Sequence, residues 1–279
     1  MLKLIKKMYQ RFVENNDIKK LYHKWISENC EKSIYGRRLR KIKNIHYGEK
    51  CIIVGNGPSL LANDLDMIND SGIITFGTNR VFKIFGNTKW RPTYYVSEDP
   101  NIIKGCCDEI DAVPAKIKFL PLQIIWYETR KRFKNTLYFW QNYDHSKDYK
   151  YSFSTSIDKQ IDHTNTITCT CVAIAAYMGF KEIYLIGVDH NYRISVNEKG
   201  EKVLDNMVKD HFCDNYNNKY NSNTEPPDLG KTTQSYINAK KYCEENGIKI
   251  YNATRGGKLE VFERKSLDDV IVNNNQYLV

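Results

Sequence analysis

The turn Gly55-Asn56-Gly57-Pro58-Ser59 contains residue types suited to holding a phosphate group. An apolar run at 51–54 precedes it and a helical pattern follows, which predicts a strand, a tight turn and a helix. The two glycines would give the backbone conformations closed to other residues and a close approach to a ligand. Pro58 suits the first helical position, and the Ser59 hydroxyl would lie beside N–H groups that attract an anion. The turn predicts a phosphate or diphosphate site, although an ordinary strand–helix turn has a similar composition.

The ends of the other predicted strands also carry polar residues. Apolar runs at 73–77, 93–96 and 182–188 predict buried strands, and shorter runs occur at 117–120, 137–140 and 249–252. Parallel α/β sheets bind ligands at the carboxyl ends of their strands. We therefore expect ligand contacts from at least two of the residues at these ends, which are Asn56, Ser59, Asn79, Arg80, Glu98, Asp99, Asp189 and His190.

Each of these residues also has a structural alternative. Asn79 would serve in a turn, and Asp99 would cap the following helix. Asp189 would hold the next loop through backbone hydrogen bonds. Arg80 would either neutralise a phosphate or form a salt bridge with a neighbouring carboxylate.

Residues 191–231 form a long polar stretch, and a loop of this length inside a domain is typically a functional lid or disordered. His211 lies in this stretch, where it could transfer a proton near neutral pH. An exposed histidine without a role is the plainer interpretation. His190, which follows Asp189, is the second candidate for acid–base catalysis.

Strands that alternate with predicted helices at 59–68, 165–178 and 232–246 indicate an α/β fold, with a Rossmann-like, mostly parallel sheet flanked by helices. Thr164 or Asn165 is the expected N-cap of the second helix, and Gly179 is expected to end it. We expect a helical N-terminal extension at 1–45, with a helix end near Gly36. A catalytic domain at 46–262 follows, with the lid inserted at 191–231, and then a C-terminal tail at 263–279.

Basic charge is concentrated at the amino-terminal end. The formal net charge is +9, and residues 1–50 hold 14 Lys and Arg against 5 Asp and Glu, which accounts for the whole excess. Apolar residues within 1–13 recur at helical spacing, and a basic amphipathic helix of this kind binds anionic membrane surfaces. Packing of that stripe on the domain, or on a second copy in a homo-oligomer, is the alternative. Nucleic acid is not an expected partner, because the short basic cluster at 37–41 has no reading motif.

The eight cysteines are scattered and lack metal-ligand spacing, which favours reduced thiols and predicts no metal site. No apolar run approaches the roughly 20 residues that a membrane span needs. We expect a cytoplasmic protein, with peripheral contact to the inner face of the membrane through residues 1–45.

Two segments resemble a known enzyme family. Residues 52–60 are similar to the first strand and turn of the bacterial CMP-sialic-acid-dependent sialyltransferases of glycosyltransferase family 42, and residues 173–189 resemble a helix–strand unit of that family. The stretch 45–262 resembles more closely a broad bacterial family grouped with the archaeal 6-hydroxymethylpterin diphosphokinases and the flagellin-modifying motility accessory factors. The pieces that carry this second resemblance are residues 91–95, 187–190, 211–212, 251–254 and 256–259. These relatives divide between sugar transfer and pyrophosphoryl transfer.

The sialyltransferase resemblance implies roles for single residues on the donor side. Asn56 and Ser59 would contact the phosphates or sugar of the nucleotide. Asn79 and Asp99 would lie where the cytidine and the donor sugar bind. Asp189 would hold the ribose or the base.

The resemblance also implies a catalytic group and a leaving-group site. His211 would correspond to the lid histidine that acts as general base, and Tyr192 to a tyrosine that holds the leaving phosphate. The family's Thr-Ser-Gly at the start of a helix is Thr166-Ile167-Thr168 in this sequence. Thr166 and Thr168 would therefore contact the donor, with one hydroxyl contact missing or moved.

These features together predict a glycosyltransferase that uses a nucleotide-activated sugar, a CMP-sugar first, to modify a bacterial surface glycan or its lipid-linked precursor, with no required cofactor. The alternative is a diphosphokinase that moves pyrophosphate from ATP to a small hydroxymethyl substrate such as a pterin. That reaction would need Mg²⁺, held by carboxylates such as Glu98, Asp99 and Asp189. A binding module without turnover is the third interpretation.

Overall fold

The computed structural model describes residues 16–129, 131–142, 153–196, 201–216 and 227–275. The amphipathic helix predicted within residues 1–13 lies outside these ranges. Within them, none of the helices combines the length and the apolar character needed to cross a bilayer.

Seven of the twelve strands coincide with the seven apolar runs of the sequence, and five short strands were not predicted. The strands are β1 (Lys50–Val54), β2 (Ile74–Thr78), β3 (Tyr94–Val96), β4 (Ile117–Pro121), β5 (Thr136–Phe139), β6 (Gln141–Asn142), β7 (Ile161–Asp162), β8 (Glu182–Ile186), β9 (Ile194–Val196), β10 (Lys202–Leu204), β11 (Lys249–Asn252) and β12 (Glu263–Arg264). Eight of them form one sheet in the order β12-β11-β8-β1-β2-β3-β4-β5. Every pairing within that sheet is parallel. The predicted Rossmann-like α/β fold is confirmed.

Helices cover both faces of the sheet. They are α1 (Asn16–Asn29), α2 (Ile34–Arg40), α3 (Ala62–Ser71), α4 (Pro100–Gly105), α5 (Cys107–Ala112), α6 (Ile167–Met178), α7 (Leu229–Glu245) and α8 (Leu267–Asn275). Shorter helical turns lie at Cys30–Lys32, Val81–Ile84, Leu122–Ile124 and Ile125–Thr129.

The core has two apolar layers, one on each side of the sheet. Along β1 the side chains of Cys51 and Ile53 enter the layer that contains α6, while Ile52 and Val54 enter the layer that contains α3. All four are fully buried, as expected for a parallel strand covered on both faces. This burial on both faces explains why β1 is a continuous apolar run in the sequence.

Three helix boundaries differ from the sequence prediction. Helix α3 begins at Ala62 and not at Ser59, so Pro58 lies in the preceding turn and not at the first helical position. The N-cap of α6 is Thr166, one residue beyond the expected Asn165, whereas Gly179 ends the helix as expected with a φ of 96°. Gly36 lies inside α2 and does not end it. A Cβ at Gly36 would lie 2.6 Å from the Asp158 carbonyl oxygen, so the glycine permits close packing.

The polar stretch predicted as a lid contains regular structure that the sequence prediction omitted. Strands β9 and β10 pair antiparallel as a hairpin, and α7 begins at Leu229, before the expected residue 232. Helix α8 also occurs where an irregular tail was expected, and it packs on α3.

The described part of the predicted N-terminal extension packs on the body of the molecule. Ile26 is fully buried with Cys30 and Leu122 in a third small apolar cluster, and Leu39 belongs to the main core. The domain boundary near residue 45 stays a prediction.

Candidate active site

A cleft of about 130 Å³ lies at the carboxyl ends of β1, β2 and β8. The strand order reverses at this point, because β2 to β5 follow on one side of β1 while β8 and β11 lie on the other. Open α/β sheets bind ligands at such a switch point. Ten of the residues singled out from the sequence line the cleft, namely Gly55, Asn56, Gly57, Asn79, Thr166, Thr168, Asp189, His190, Tyr192 and His211.

Asp189 joins the turn after β8 to the turn after β1. Its Oδ2 accepts hydrogen bonds from the Ser59 hydroxyl at 2.7 Å and from the Ser59 N–H at 3.4 Å. Burial raises the pKa of Asp189, and the hydrogen bonds from Ser59 oppose that rise. The Ser59 hydroxyl is thus bonded to Asp189, and Ser59 itself does not line the cleft.

The two glycines of the first turn are explained by packing. A Cβ at Gly57 would overlap the Asp189 carboxylate, and a Cβ at Gly55 would overlap the carbonyl of Gly187. Neither Gly55 nor Gly57 has a positive φ. The expectation of an unusual backbone conformation was therefore wrong. The glycines let two protein turns approach each other.

The side-chain amide of Asn56 is fixed in one orientation. Its Nδ2 donates to the Thr78 carbonyl at 3.1 Å and to the Thr78 hydroxyl at 2.9 Å, while that hydroxyl donates to the Val54 carbonyl at 2.9 Å. Because the Thr78 hydroxyl proton is already used, Thr78 presents only acceptors to Asn56. The Asn56 Oδ1 is buried and has no hydrogen-bond partner within the described residues. An acceptor left in this way takes a donor from a ligand or from water.

The amino-terminal end of α6 faces the same cleft. The Thr166 side chain caps the helix by accepting from the Thr168 N–H at 3.4 Å. The hydroxyl of Tyr236, on α7, lies 3.3 Å from the Thr166 hydroxyl. Burial raises the pKa of Tyr236, so its hydroxyl stays protonated and can donate. Helix N-termini and hydroxyl donors favour an anion, and we call the start of α6 together with the Tyr236 hydroxyl the anion corner.

His190 and Tyr192 also line the cleft, and the His190 ring contacts the Tyr236 ring. His190 has a φ of 50°, which is strained for a residue with a side chain, and its Nε2 lies 2.9 Å from the Thr233 hydroxyl. Its Nδ1 is buried and without a hydrogen-bond partner among the described residues, and burial lowers its pKa. Burial raises the pKa of Tyr192 to about 12, which keeps its hydroxyl protonated.

Residues 210–216 cover the cleft. The ring of His211 stacks on Tyr216 with 3.7 Å between ring centroids. The Phe212 N–H donates to the Asn56 carbonyl at 3.2 Å, and the Arg80 N–H donates to the Tyr216 hydroxyl at 3.3 Å. Burial lowers the pKa of His211, and the neighbouring Asp210 carboxylate opposes this effect. His211 is therefore a neutral imidazole at pH 7.

Pro58, Ser59, Arg80 and Asp99 were also predicted to bind the donor, but they do not line the cleft. Arg80 is buried beneath Tyr216, with its guanidinium carbon 5.5 Å from the centre of that ring. The Asp99 carboxylate caps α4 by accepting from the Asn101 and Ile102 N–H groups, which is the structural alternative weighed for it.

The three carboxylates suggested as Mg²⁺ ligands do not share one site. The Glu98 Oε2 accepts from Gln141 and Thr170, both at 2.7 Å, and burial raises the pKa of Glu98 to about 6. Asp99 caps a helix, so of the three only Asp189 lines the cleft, where Asp210 is a second carboxylate. Within the described ranges, no three His, Cys, Asp or Glu side chains gather as metal ligands.

Sequence reasoning missed eight residues that line the cleft. They are Thr78, Ile167, Gly187, Val188, Asn191, Asp210, Tyr216 and Tyr236. Six of them lie within two positions of a predicted residue, so a wider window around each prediction would have included those six but not Tyr216 or Tyr236. Tyr236 had no such signal, because it lies within a helix whose orientation the sequence does not determine.

The fold and the position of the cleft define a Rossmann-like α/β protein with its ligand site at the switch point. The family model described as 6-hydroxymethylpterin diphosphokinase MptE-like matches residues 24–195, and the chain belongs to this family. The predicted family relationship is confirmed. None of the curated proteins matched the sequence.

Solved structures of two glycosyltransferases show partial similarity. The MAf glycosyltransferase from Magnetospirillum magneticum AMB-1 is 15% identical with a TM-score of 0.49, and the match covers 87% of this chain but only 41% of that protein. The sialyltransferase CstII from Campylobacter jejuni, in complex with the substrate analogue cytidine-5′-monophosphate, is 17% identical with a TM-score of 0.42, covering 79% of this chain and 86% of that one. With TM-scores below 0.5, these similarities carry no argument about function.

Proposed function

We propose that the protein is a transferase that uses a nucleotide-activated sugar, with a CMP-sugar as the first donor to test. The observation that carries the proposal is that a neutral, half-buried His211 faces the same cleft as the amino-terminal end of α6. One group suits removal of a proton from an acceptor hydroxyl, and the other suits a phosphate that leaves. The acceptor would be a bacterial surface glycan or its lipid-linked precursor.

The anion corner supports a leaving phosphate. Thr166 and Thr168 present hydroxyls at the start of α6, and the protonated hydroxyls of Tyr192 and Tyr236 line the same cleft. Such donors stabilise charge that develops on an oxygen as a bond breaks. The cleft also contains the fixed acceptor Asn56 Oδ1, which suits a ribose or sugar hydroxyl better than a phosphate oxygen.

In the proposed reaction, His211 takes the proton from the acceptor hydroxyl while the acceptor oxygen forms a bond to the anomeric carbon of the donor sugar. The bond from that carbon to the nucleotide phosphate breaks, and the phosphate keeps the electron pair. Hydroxyls and N–H groups at α6 then hold the negative charge. A covering segment that excludes water would limit hydrolysis of the donor.

The size of the cleft implies movement of this segment. Its volume of about 130 Å³ is below the several hundred Å³ of ordinary ligand pockets. We propose that residues 210–216 move outward to admit a nucleotide sugar and close again over it.

Binding of a panel of nucleotides tests the proposal. We would measure thermal shifts with CMP, CDP, UDP, GDP, ADP and ATP, each with and without Mg²⁺. A specific ligand at a hundredfold excess over its Kd stabilises the folded state by about 2.7 kcal/mol. Metal-independent stabilisation by CMP or CDP is expected. Stabilisation by ATP only in the presence of Mg²⁺ would sink the sugar-transfer proposal.

A Mg²⁺-dependent diphosphokinase is the second candidate, because the matching family model carries that description. Asp189 and Asp210 are the carboxylates of the cleft that would hold the metal with ATP phosphates. Diphosphokinase activity would be lost in EDTA, because the chelator removes Mg²⁺. Replacement of both residues by asparagine would abolish the Mg²⁺-dependent binding of ATP.

We also propose that the protein works at the cytoplasmic face of the membrane, held there by its basic amino-terminal residues. The apolar packing of Ile26 and Leu39 makes deletion of residues 1–45 unsuitable as a test, because it removes part of the core. Deletion of residues 1–15 keeps that packing. Sedimentation with anionic vesicles should fall on this deletion, and unchanged sedimentation would contradict the proposal.

A further inference from the structure

The turn between β11 and β12 lies directly behind the Gly187–Asp189 turn of the cleft. The Lys258 N–H donates to the Asp189 carbonyl at 2.7 Å, and the Val188 N–H donates to the Thr254 hydroxyl at 3.1 Å. A Cβ at Gly257 would lie 2.8 Å from the Asp189 carbonyl oxygen, and Gly257 has a φ of 75°. The two turns are therefore in contact through their backbones.

Arg264, which ends β12, holds this rear turn from outside. Its Nη1 donates to the Gly256 carbonyl at 2.6 Å and to the Thr254 carbonyl at 3.3 Å, and its Nη2 donates to the Gly257 carbonyl at 3.2 Å. A planar guanidinium with several fixed donors can bridge three carbonyls, whereas a lysine ammonium on a flexible stem cannot hold them in one geometry. Glu260 pairs with the same guanidinium at 2.6 Å from the solvent side.

A second arginine fixes the same turn to the helix that follows the glycine turn. The Arg255 Nε and Nη2 each donate to a different oxygen of the buried Asp64 carboxylate on α3, both at 2.8 Å. The rear turn is thus anchored on one side to α3 and on the other to the end of β12.

We propose that Arg264 is a positioning residue for the cleft: by clamping the turn at 254–257, it sets the place of Asp189 and, through Ser59, that of the first glycine turn. Arg264 itself does not line the cleft. The expected effect of Arg264 on nucleotide binding rests on the proposed function, whereas its effect on the position of Asp189 does not. The structural part of the proposal holds for any ligand of this cleft.

The first test needs no ligand. Amide hydrogen exchange at residues 187–190 is compared between the wild-type protein and the variants Arg264→Met, Arg264→Lys and Glu260→Gln. We expect exchange about tenfold faster in both Arg264 variants and unchanged in Glu260→Gln, which removes the ion pair but keeps the bonds to the three carbonyls. Exchange in β3 and β4 serves as the reference for general destabilisation. Unchanged exchange at 187–190 in Arg264→Lys would overturn the proposal, and this variant keeps the charge if Arg264→Met does not fold.

The second test uses the nucleotide that stabilises the wild-type protein most. We expect its Kd to rise about tenfold in the Arg264 variants, which corresponds to about 1.4 kcal/mol. The same substitution should cost little further affinity when Asp189 is already replaced by asparagine, because a residue that acts through Asp189 is not additive with it. Additive losses, or an unchanged Kd, would leave Arg264 with a merely structural role and overturn the proposal. If no nucleotide binds the wild-type protein, the proposed function fails, and the exchange experiment still decides the role of Arg264.

Discussion

The floor and the cover of the cleft are built differently. The floor consists of the turns after β1, β2 and β8 and the start of α6, and it lies within the range that the family model matches. The cover consists of residues 210–216, which lie beyond that range. Paired central strands hold the floor. Isolated hydrogen bonds hold the cover: the Phe212 N–H donates to the Asn56 carbonyl, the Arg80 N–H to the Tyr216 hydroxyl, the Arg193 N–H to the Asp210 carboxylate and the Lys83 ammonium to the Asn215 carbonyl. The Arg80 guanidinium also lies against the Tyr216 ring.

This difference separates two tasks. Segments with few buried contacts open at a lower free energy than paired core strands, so the cover is the part that can move. The floor keeps its shape and offers binding groups. In the proposed reaction, His211 reaches the acceptor only when the cover is closed.

Replacement of His211 should give the largest effect and should leave the floor intact. His211→Asn removes the general base, and we expect the rate of sugar transfer to fall about 10²- to 10⁴-fold with little change in donor Kd. Kinetics of transfer and calorimetric donor binding measure the two quantities. Lys209→Ala, an exposed substitution immediately before the cover, is the control. If His211→Asn instead lost donor affinity and kept its transfer rate, His211 would serve donor binding and not proton transfer.

Damage to the floor should have the opposite signature. In Gly57→Ala the new Cβ overlaps the Asp189 carboxylate, so we expect at least about tenfold weaker nucleotide binding and a loss of about 1–3 kcal/mol in unfolding free energy. A Cβ at Gly86 would meet no atom within 4 Å in the described structure, so Gly86→Ala is the matched control. Normal binding by Gly57→Ala would show that the two turns can separate without harm.

The pH dependence of transfer reports on the cover. Protonation of His211 removes the base, so the rate should fall as the pH falls. Burial lowers the pKa of His211 from the ordinary 6.5, and the acid limb should therefore lie below pH 6.5. Asp210 raises that pKa while Arg80 lowers it, so Asp210→Asn should move the limb to still lower pH, with Asp214→Asn as the exposed control. A limb above pH 6.5 would indicate a different base.

The smallest effect is expected from the contact that holds the cover closed. Tyr216→Phe keeps the ring beside His211 but removes the hydroxyl that accepts from the Arg80 N–H. Loss of one such bond is worth about 1 kcal/mol, so nucleotide association should become about two- to fivefold faster. Stopped-flow binding measures this rate. A slower association would mean that the bond organises the entry path.

The floor was largely predictable from the sequence, because its signals are local. A buried parallel strand is a continuous apolar run, and the polar residues that follow it must emerge at one edge of the sheet. Asn56, Asn79 and Asp189 were found in this way. The same reasoning could not separate Asp99, whose carboxylate caps its own helix, from the residues that face the cleft.

The cover was predictable only in outline. The length and polarity of residues 191–231 indicated a lid, but the β9–β10 hairpin has only weak apolar alternation and was missed. Tyr216 and Tyr236 enter the cleft through the orientation of their segments, which depends on tertiary contacts. The place of the α6 start beside Tyr236 depends on the same tertiary contacts.

The pairing of β1 with β8 also has a consequence for folding. Lys50 pairs with Glu182 across the switch point, although the chain passes through four other strands of the sheet between them. Contacts between residues so distant in sequence form slowly, because the chain must close a large loop before they stabilise it. During synthesis, the glycine turn therefore emerges long before its partner strand, and the cleft is assembled only once the carboxyl-terminal part of the chain has been made.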